Sequence, residues 1–163
     1  MKTLVIYYSL EGDTKLIADA VAKSTGADVL EIRPKKEIPK NILKLFFGGK
    51  QSMMKEKPEL LPLDKNPADY DLLFIGTPVW AWNMSAPIRS FLSSAKLAGK
   101  KIGLFCCNGG QKGKTFDEME RILSENAVVG EIEFKEPLKH DKEADAKKAG
   151  EWAKGILLSL NPS

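Results

Sequence analysis

The chain has 163 residues with 25 Lys or Arg against 22 Asp or Glu, a formal net charge of +3. That length accommodates one domain, residues 1–163, with a core that needs neither disulfides nor a structural metal. No apolar stretch approaches the roughly 20 residues that cross a bilayer, and the N-terminus reads as a strand and not as a signal peptide, so no membrane insertion and a cytoplasmic location are expected.

Thr3 to Tyr8 is a continuous apolar run rich in β-branched and aromatic residues, which predicts a buried parallel strand. It breaks at SLEGDT (Ser9 to Thr14), after which Leu16, Ile17, Ala20 and Val21 share one helical face, with Asp13 or Thr14 as the expected N-cap. The hydroxyls of Ser9 and Thr14, Gly12 and the free backbone N–H groups of a helix start suit an anion, although such turns also use these residues merely to turn and cap. Gly26 stops the helix, and Val29 to Ile32 predict a second strand ending before Pro34. Prolines at 34, 39, 58, 62 and 67 punctuate the stretch up to Tyr70, where short helices are expected at 41–47 and near 51–55. Leu43, Phe46, Phe47, Met53 and Met54 from that stretch either cap the sheet or form a lid or a dimer contact. Positions 33–57 carry eight Lys or Arg against two Glu, but no nucleic-acid motif accompanies them, so they read as a solvated basic face.

Asp71 to Thr77 predict the third strand, which ends in the loop TPVWAWNMS; Trp80 and Trp82 there offer broad apolar faces for a planar ligand or a protein contact. Pro87 fits the first turn of a helix that buries Ile88, Phe91 and Leu92. Lys101 to Cys107 predict the fourth strand. Its adjacent Cys106 and Cys107 read as packing residues, since one such pair makes neither a disulfide framework nor a zinc site. Next comes NGGQKGK, where Asn108, Gly109, Gly110 and Gly113 allow backbone to approach a flat ring. Thr115 and Glu118 read as a capping box for a helix through Leu123, Val128 to Phe134 as the fifth strand, and Asp141 to Leu160 as a final helix burying Ala149, Trp152, Ala153 and Ile156. His140, the only histidine, reads as a loop residue with no catalytic role. Strands alternating with helices predict an α/β three-layer α-β-α sandwich around an open five-stranded parallel sheet. In such sheets ligands bind at the carboxyl ends of the strands, where the three loops above fall.

The first of these loops resembles the phosphate loop of flavodoxins, Ser/Thr-x-Thr-Gly-x-Thr. Ser9, Gly12 and Thr14 match, while Glu11 departs by placing a carboxylate where a hydroxyl is usual. IGTPVW (Ile75 to Trp80) and NMSAPIRSFL (Asn83 to Leu92) also resemble segments of flavodoxins and flavodoxin-like quinone reductases. From Lys2 to the final helix the chain is identified as a short-chain member of the flavodoxin family. The resemblance implies strand order 2-1-3-4-5 and FMN as cofactor, with Ser9, Leu10, Glu11, Gly12, Asp13 and Thr14 around the phosphate. Thr77, Pro78, Val79, Trp80, Ala81, Trp82 and Asn83 would line the ring, and Asn108, Gly109, Gly110 and Gly113 would complete its edge. It implies no metal and no catalytic side chain, because the flavin carries the chemistry. The implied activity is electron transfer to a redox partner protein or to a small acceptor such as a quinone, by a monomer or homodimer. An NAD(P)H-dependent FMN quinone reductase and a flavin-free interaction module on the same scaffold are the alternatives. Typical flavodoxins are strongly acidic, so the basic balance here implies acidic partners. The loop at Trp80 to Asn83 lacks the glycine that lets a peptide flip beside the ring in one-electron carriers, and a left-handed backbone there would cost a non-glycine residue about 1–2 kcal/mol.

Overall fold

The computed structural model describes residues 1–38 and 55–162. The elements follow one another as β1 (Thr3–Tyr7), α1 (Asp13–Thr25), β2 (Asp28–Glu31), β3 (Leu72–Trp80), β4 (Asn83–Met84), α2 (Ala86–Ala95), β5 (Lys101–Asn108), α3 (Thr115–Ile122), β6 (Ala127–Lys135) and α4 (Lys142–Leu160). The main sheet runs β2-β1-β3-β5-β6, with every neighbouring pair parallel. Five parallel strands therefore stand in the expected 2-1-3-4-5 order. The addition is β4, a two-residue strand that pairs antiparallel with the end of β3.

The central strands are apolar along most of their length because both faces are covered. Leu4, Ile6, Leu73, Ile75, Ile102 and Leu104 point to one side and pack with Ile88 and Phe91 of α2 and Met119 of α3. Val5, Leu72, Phe74 and Phe105 point to the other and meet Ile17 and Val21 of α1 and Ala149, Ala153 and Ile156 of α4. Each fully buried side chain of this kind contributes about 1.5–3 kcal/mol. Gly76 makes one crowded point workable. A Cβ there would lie 2.1 Å from the Phe105 ring, so only a bare backbone lets that ring lie flat on β3.

Local chemistry alters several expected boundaries. β3 does not stop at Thr77 but continues to Trp80, since Val79 and Trp80 pair with Met84 and Asn83 in a tight hairpin. Gly12, at φ +109°, occupies the N-cap of α1, and the expected caps Asp13 and Thr14 lie inside the helix. Asp13 is engaged elsewhere, accepting the Leu138 N–H at 2.9 Å. No capping box forms on α3. The Thr115 hydroxyl donates to the Lys112 carbonyl at 2.6 Å, and Glu118 faces Arg121, Lys55 and the buried Arg89 at 3.2, 3.6 and 3.8 Å. The chain returns beside β2 through an antiparallel bridge, Pro34 to Leu60, with Lys35 N–H on the Glu59 carbonyl and Leu61 N–H on that of Arg33, both at 2.8 Å. The helices expected at 41–47 and near 51–55, and the lid residues Leu43, Phe46, Phe47, Met53 and Met54, fall outside the described residues, Lys55 excepted.

Candidate functional site

The reversal of strand order between β1 and β3 opens a crevice at the carboxyl edge of the sheet. Its first wall is the loop from β1 to α1. Ser9 organises it, because its Oγ accepts from Gly12 N–H at 3.1 Å and from Lys15 N–H at 3.2 Å. Gly12 permits the left-handed turn, and a side chain there would press on Leu138 Cδ1 at 3.2 Å. The loop is thus shaped before any ligand arrives, and it delivers the positive end of α1 to the crevice. Below it, Tyr8 packs edge-on against Trp80 (centroids 5.5 Å apart, 89° between planes) and donates to Glu37 Oε1 at 2.5 Å. Burial, then the Glu37 hydrogen bond and charge, push the Tyr8 phenol far up, so it stays a neutral donor.

The second wall is the β3–β4 hairpin. Both of its central residues are left-handed, Ala81 at φ +49° and Trp82 at φ +60°. That is the backbone of a primed two-residue turn, built here without glycine. The cost expected of a left-handed backbone without glycine is thus present, and the strained turn is held in place from both sides. Trp82 O accepts Lys114 N–H at 2.8 Å, and Gly113 leaves the space, since a Cβ on it would lie 2.4 Å from Trp82 Cβ. Within the sheet, the buried Thr77 hydroxyl donates to the Pro78 carbonyl at 2.8 Å and accepts Ser85 N–H at 3.0 Å, which ties the hairpin to the start of α2.

The third wall follows β5. Asn108 is 5% exposed; its Nδ2 donates to Glu133 Oε2 at 3.0 Å, while its Oδ1 is buried without a hydrogen-bond partner. Between the walls lies an open cleft with about 830 Å³ of free space that merges with bulk solvent. It brings together eleven of the seventeen expected residues: Ser9, Leu10, Glu11, Asp13 and Thr14 from the first loop, Pro78, Val79, Trp80 and Ala81 from the hairpin, and Asn108 and Gly109 from β5 and the loop after it. Gly12 shapes the first loop without lining the cleft, Thr77 lies beneath the hairpin, and Gly113 supports it from behind. Trp82 projects outward, 65% exposed, and Asn83 pairs with Trp80; neither lines the cleft, nor does Gly110.

Two lining residues escaped the sequence reading, Cys107 and Glu136. Cys107 was legible from alternation, which sends it to the α1 side of β5 beneath Thr14. Burial pushes its thiol far up and that of Cys106 up to about 12, so both stay neutral packing groups. Glu136 follows β6, a strand whose carboxyl end also faces the crevice but whose loop has no glycine or aromatic signature. Lys139, 3.0 Å away, holds its carboxyl below the usual range as an anion. Among the described residues the lining thus includes three carboxylates, those of Glu11, Asp13 and Glu136, and no lysine or arginine.

An open doubly wound sheet with a glycine-turned loop and a helix start at its switch point and an aromatic wall opposite is the architecture of nucleotide- and flavin-binding α/β proteins. The chain belongs to the flavodoxin family, whose model matches residues 2–136. A Lactobacillus acidophilus NCFM flavoprotein in complex with FMN is 25% identical, with a TM-score of 0.69 over 88% of this chain and 98% of that one. A protein from Bacteroides eggerthii DSM 20697 shares the fold at TM-score 0.78 and 23% identity, covering 96% and 98% of the two chains. The flavodoxin WrbA-like protein from Agrobacterium tumefaciens shares it at TM-score 0.64 and 18% identity, covering 95% and 94%.

Proposed function

We propose that the cleft binds FMN without a covalent link and that the protein passes electrons through it to a redox partner. The observation that carries this reading is the pairing of a pre-shaped anion loop at the start of α1 with an apolar wall of Pro78, Val79 and Trp80, in the cleft at the switch point. The donor set fits the cofactor. Backbone N–H groups at the start of α1 suit the phosphate, while Val79 and Trp80 supply the apolar surface a flat ring needs. Lacking lysine and arginine, the lining would hold the phosphate by backbone dipoles, and Glu11 must lie to one side of it. Bound FMN would supply the electron-accepting chemistry. The chain's part is to orient it, with Tyr8 bracing Trp80 from beneath and the Ala81–Trp82 turn fixed against the third loop.

An NAD(P)H-dependent quinone reductase is the second reading, favoured by a cleft that stays open beside the Val79–Trp80 wall, where a hydride donor could approach. A visible spectrum followed by titration of the apoprotein with FMN and riboflavin tests the proposal. One FMN per chain, bound much more tightly than riboflavin, supports it; binding of neither flavin refutes it in favour of an interaction module. Steady NAD(P)H oxidation with a quinone present would select the enzyme over the carrier.

A further inference from the structure

A recess separate from the cleft lies along β2, the strand at one edge of the sheet. The two 2.8 Å backbone bonds that join Lys35 to Glu59 and Leu61 to Arg33 fix the returning chain only as far as Leu61. Beyond it, about 910 Å³ of free space that merges with bulk solvent opens between β2 and the segment through Asp64. Tyr7, the last residue of β1, lines this space. It is 3% exposed, and its hydroxyl has no hydrogen-bond partner among the described residues. Burial and then the Glu31 carboxylate push the phenol up, so it stays a neutral donor.

The recess has two kinds of wall. Val29, Leu61 and Pro62 are apolar, and Leu61 is 44% exposed. Beside them stands an oriented carboxylate. Arg33 makes both of its contacts to one oxygen of Glu31, Nη2 at 2.7 Å and Nε at 3.2 Å from Oε2, which fixes the side chain and leaves Oε1 without a partner among the described residues. Tyr7 and Glu31 are neighbours in the β1–β2 register, so the unused donor and the unused acceptor share one face of the sheet. Apolar surface for a flat base, next to a carboxylate that can accept from a vicinal diol, is the chemistry that recognises a nucleoside. In doubly wound sheets an acidic residue about 20 positions after the glycine turn takes the ribose hydroxyls of a dinucleotide, and Glu31, at the end of β2, has that place relative to Gly12. The recess also adjoins the cleft in the chain, since Tyr7 is separated from Ser9 only by Tyr8. A nicotinamide must reach the flavin to react, which leaves the other half of the molecule to be held elsewhere. We infer that the recess binds the adenosine half of a nicotinamide dinucleotide, with Glu31 accepting from the ribose 2′- and 3′-hydroxyls, and that it selects NADH over NADPH. A 2′-phosphate there would meet the carboxylates of Glu31 and Asp64, and Arg33 is already engaged by Glu31. This rests on the reductase reading of the cleft above.

The test is calorimetric titration of the FMN-saturated protein with ADP-ribose and with 2′-phospho-ADP-ribose, probes that lack the nicotinamide and meet a first loop already filled. Wild type should bind ADP-ribose about tenfold or more tightly than its 2′-phosphate form. Glu31→Ala should lose about tenfold or more for ADP-ribose and, with Arg33 released, gain affinity for the 2′-phosphate form. Its FMN affinity and melting temperature should hold, because the Glu31–Arg33 pair is exposed. Tyr7→Phe, which keeps the buried ring and removes only the donor, should weaken ADP-ribose severalfold. Unaltered ADP-ribose binding in both variants would overturn the inference, and equal losses for the two probes in Glu31→Ala would overturn it by assigning the carboxylate to the fold. Wild type that holds FMN and binds neither probe would overturn this inference alone. ADP-ribose binding without NADH oxidation would overturn the reductase reading alone, and a sample whose visible spectrum shows no flavin uptake would overturn the flavin reading.

Discussion

Replacing Gly113 with alanine should damage both stability and the cleft, although Gly113 does not line it. The new Cβ would stand 2.4 Å from Trp82 Cβ and 2.5 Å from Trp82 O, and the latter is backbone that cannot rotate aside. Gly113 also sits at φ +55°, where alanine carries a penalty of about 1–2 kcal/mol. Relieving the clash means separating the loop from the hairpin and stretching the Lys114 N–H to Trp82 O bond, a net contribution of about 1 kcal/mol. The two together make about 2–3 kcal/mol. At this chain length each kcal/mol moves the midpoint about 2–4 °C, so thermal unfolding of apo Gly113→Ala by circular dichroism should shift down about 4–12 °C. FMN affinity should fall with it, because the Ala81–Trp82 turn loses its support. Gly110→Ala is the control in the same loop: a Cβ there meets nothing within 4 Å, and the change should be close to neutral. Gly113→Ala melting within a degree of wild type would refute the claim that the third loop holds the strained hairpin in place.

Two further outcomes are expected. Partial desolvation and then the neighbouring Glu120 carboxyl push the otherwise exposed Glu131 up to about 7, so the folded state holds a proton that the unfolded chain releases near 4.5. Its contribution is complete below about 4.5 and is lost as pH rises towards 7, which makes stability fall over that window. Urea titrations from pH 4 to 8 should show that decline weakened in Glu131→Gln, and parallel pH curves for the two proteins would count against the pairing. Cys106, buried and raised from 9.0 to about 12, should have roughly a thousandfold less thiolate than an ordinary thiol, so iodoacetamide should label native protein far more slowly than protein in guanidinium. Labelling at similar rates in both would refute its burial.

The sheet was legible because each central strand is buried on both faces, which writes an uninterrupted apolar run such as Leu72 to Ile75. The first loop was legible for a related reason, since Ser9 and Gly12 do separate jobs at a fixed offset. What did not show in the sequence was set by contacts between distant segments. Nothing local in Trp80 to Asn83 announces a left-handed hairpin, because its support is Gly113 and Lys114, thirty residues further on. Thr115 and Glu118 have the spacing of a capping box, but nearby cations and the Lys112 carbonyl outcompete the helix end for them. Glu136 was invisible for the opposite reason: its left-handed backbone, at φ +41°, belongs to a turn before a proline and not to any residue type that favours one.

The clasp between Asp13 and Leu138 joins positions 125 residues apart. During synthesis, at about 5–20 residues per second, Leu138 is added roughly 6–25 s after Asp13. Throughout that interval the emerging chain has the first loop's residues without the backstop that covers Gly12. A nascent or C-terminally truncated chain lacking β6 and the turn after it would therefore meet free flavin with a loosened cradle. A chain truncated before Glu136 should accordingly bind flavin more weakly than the full chain, since the contact that backs Gly12 is missing.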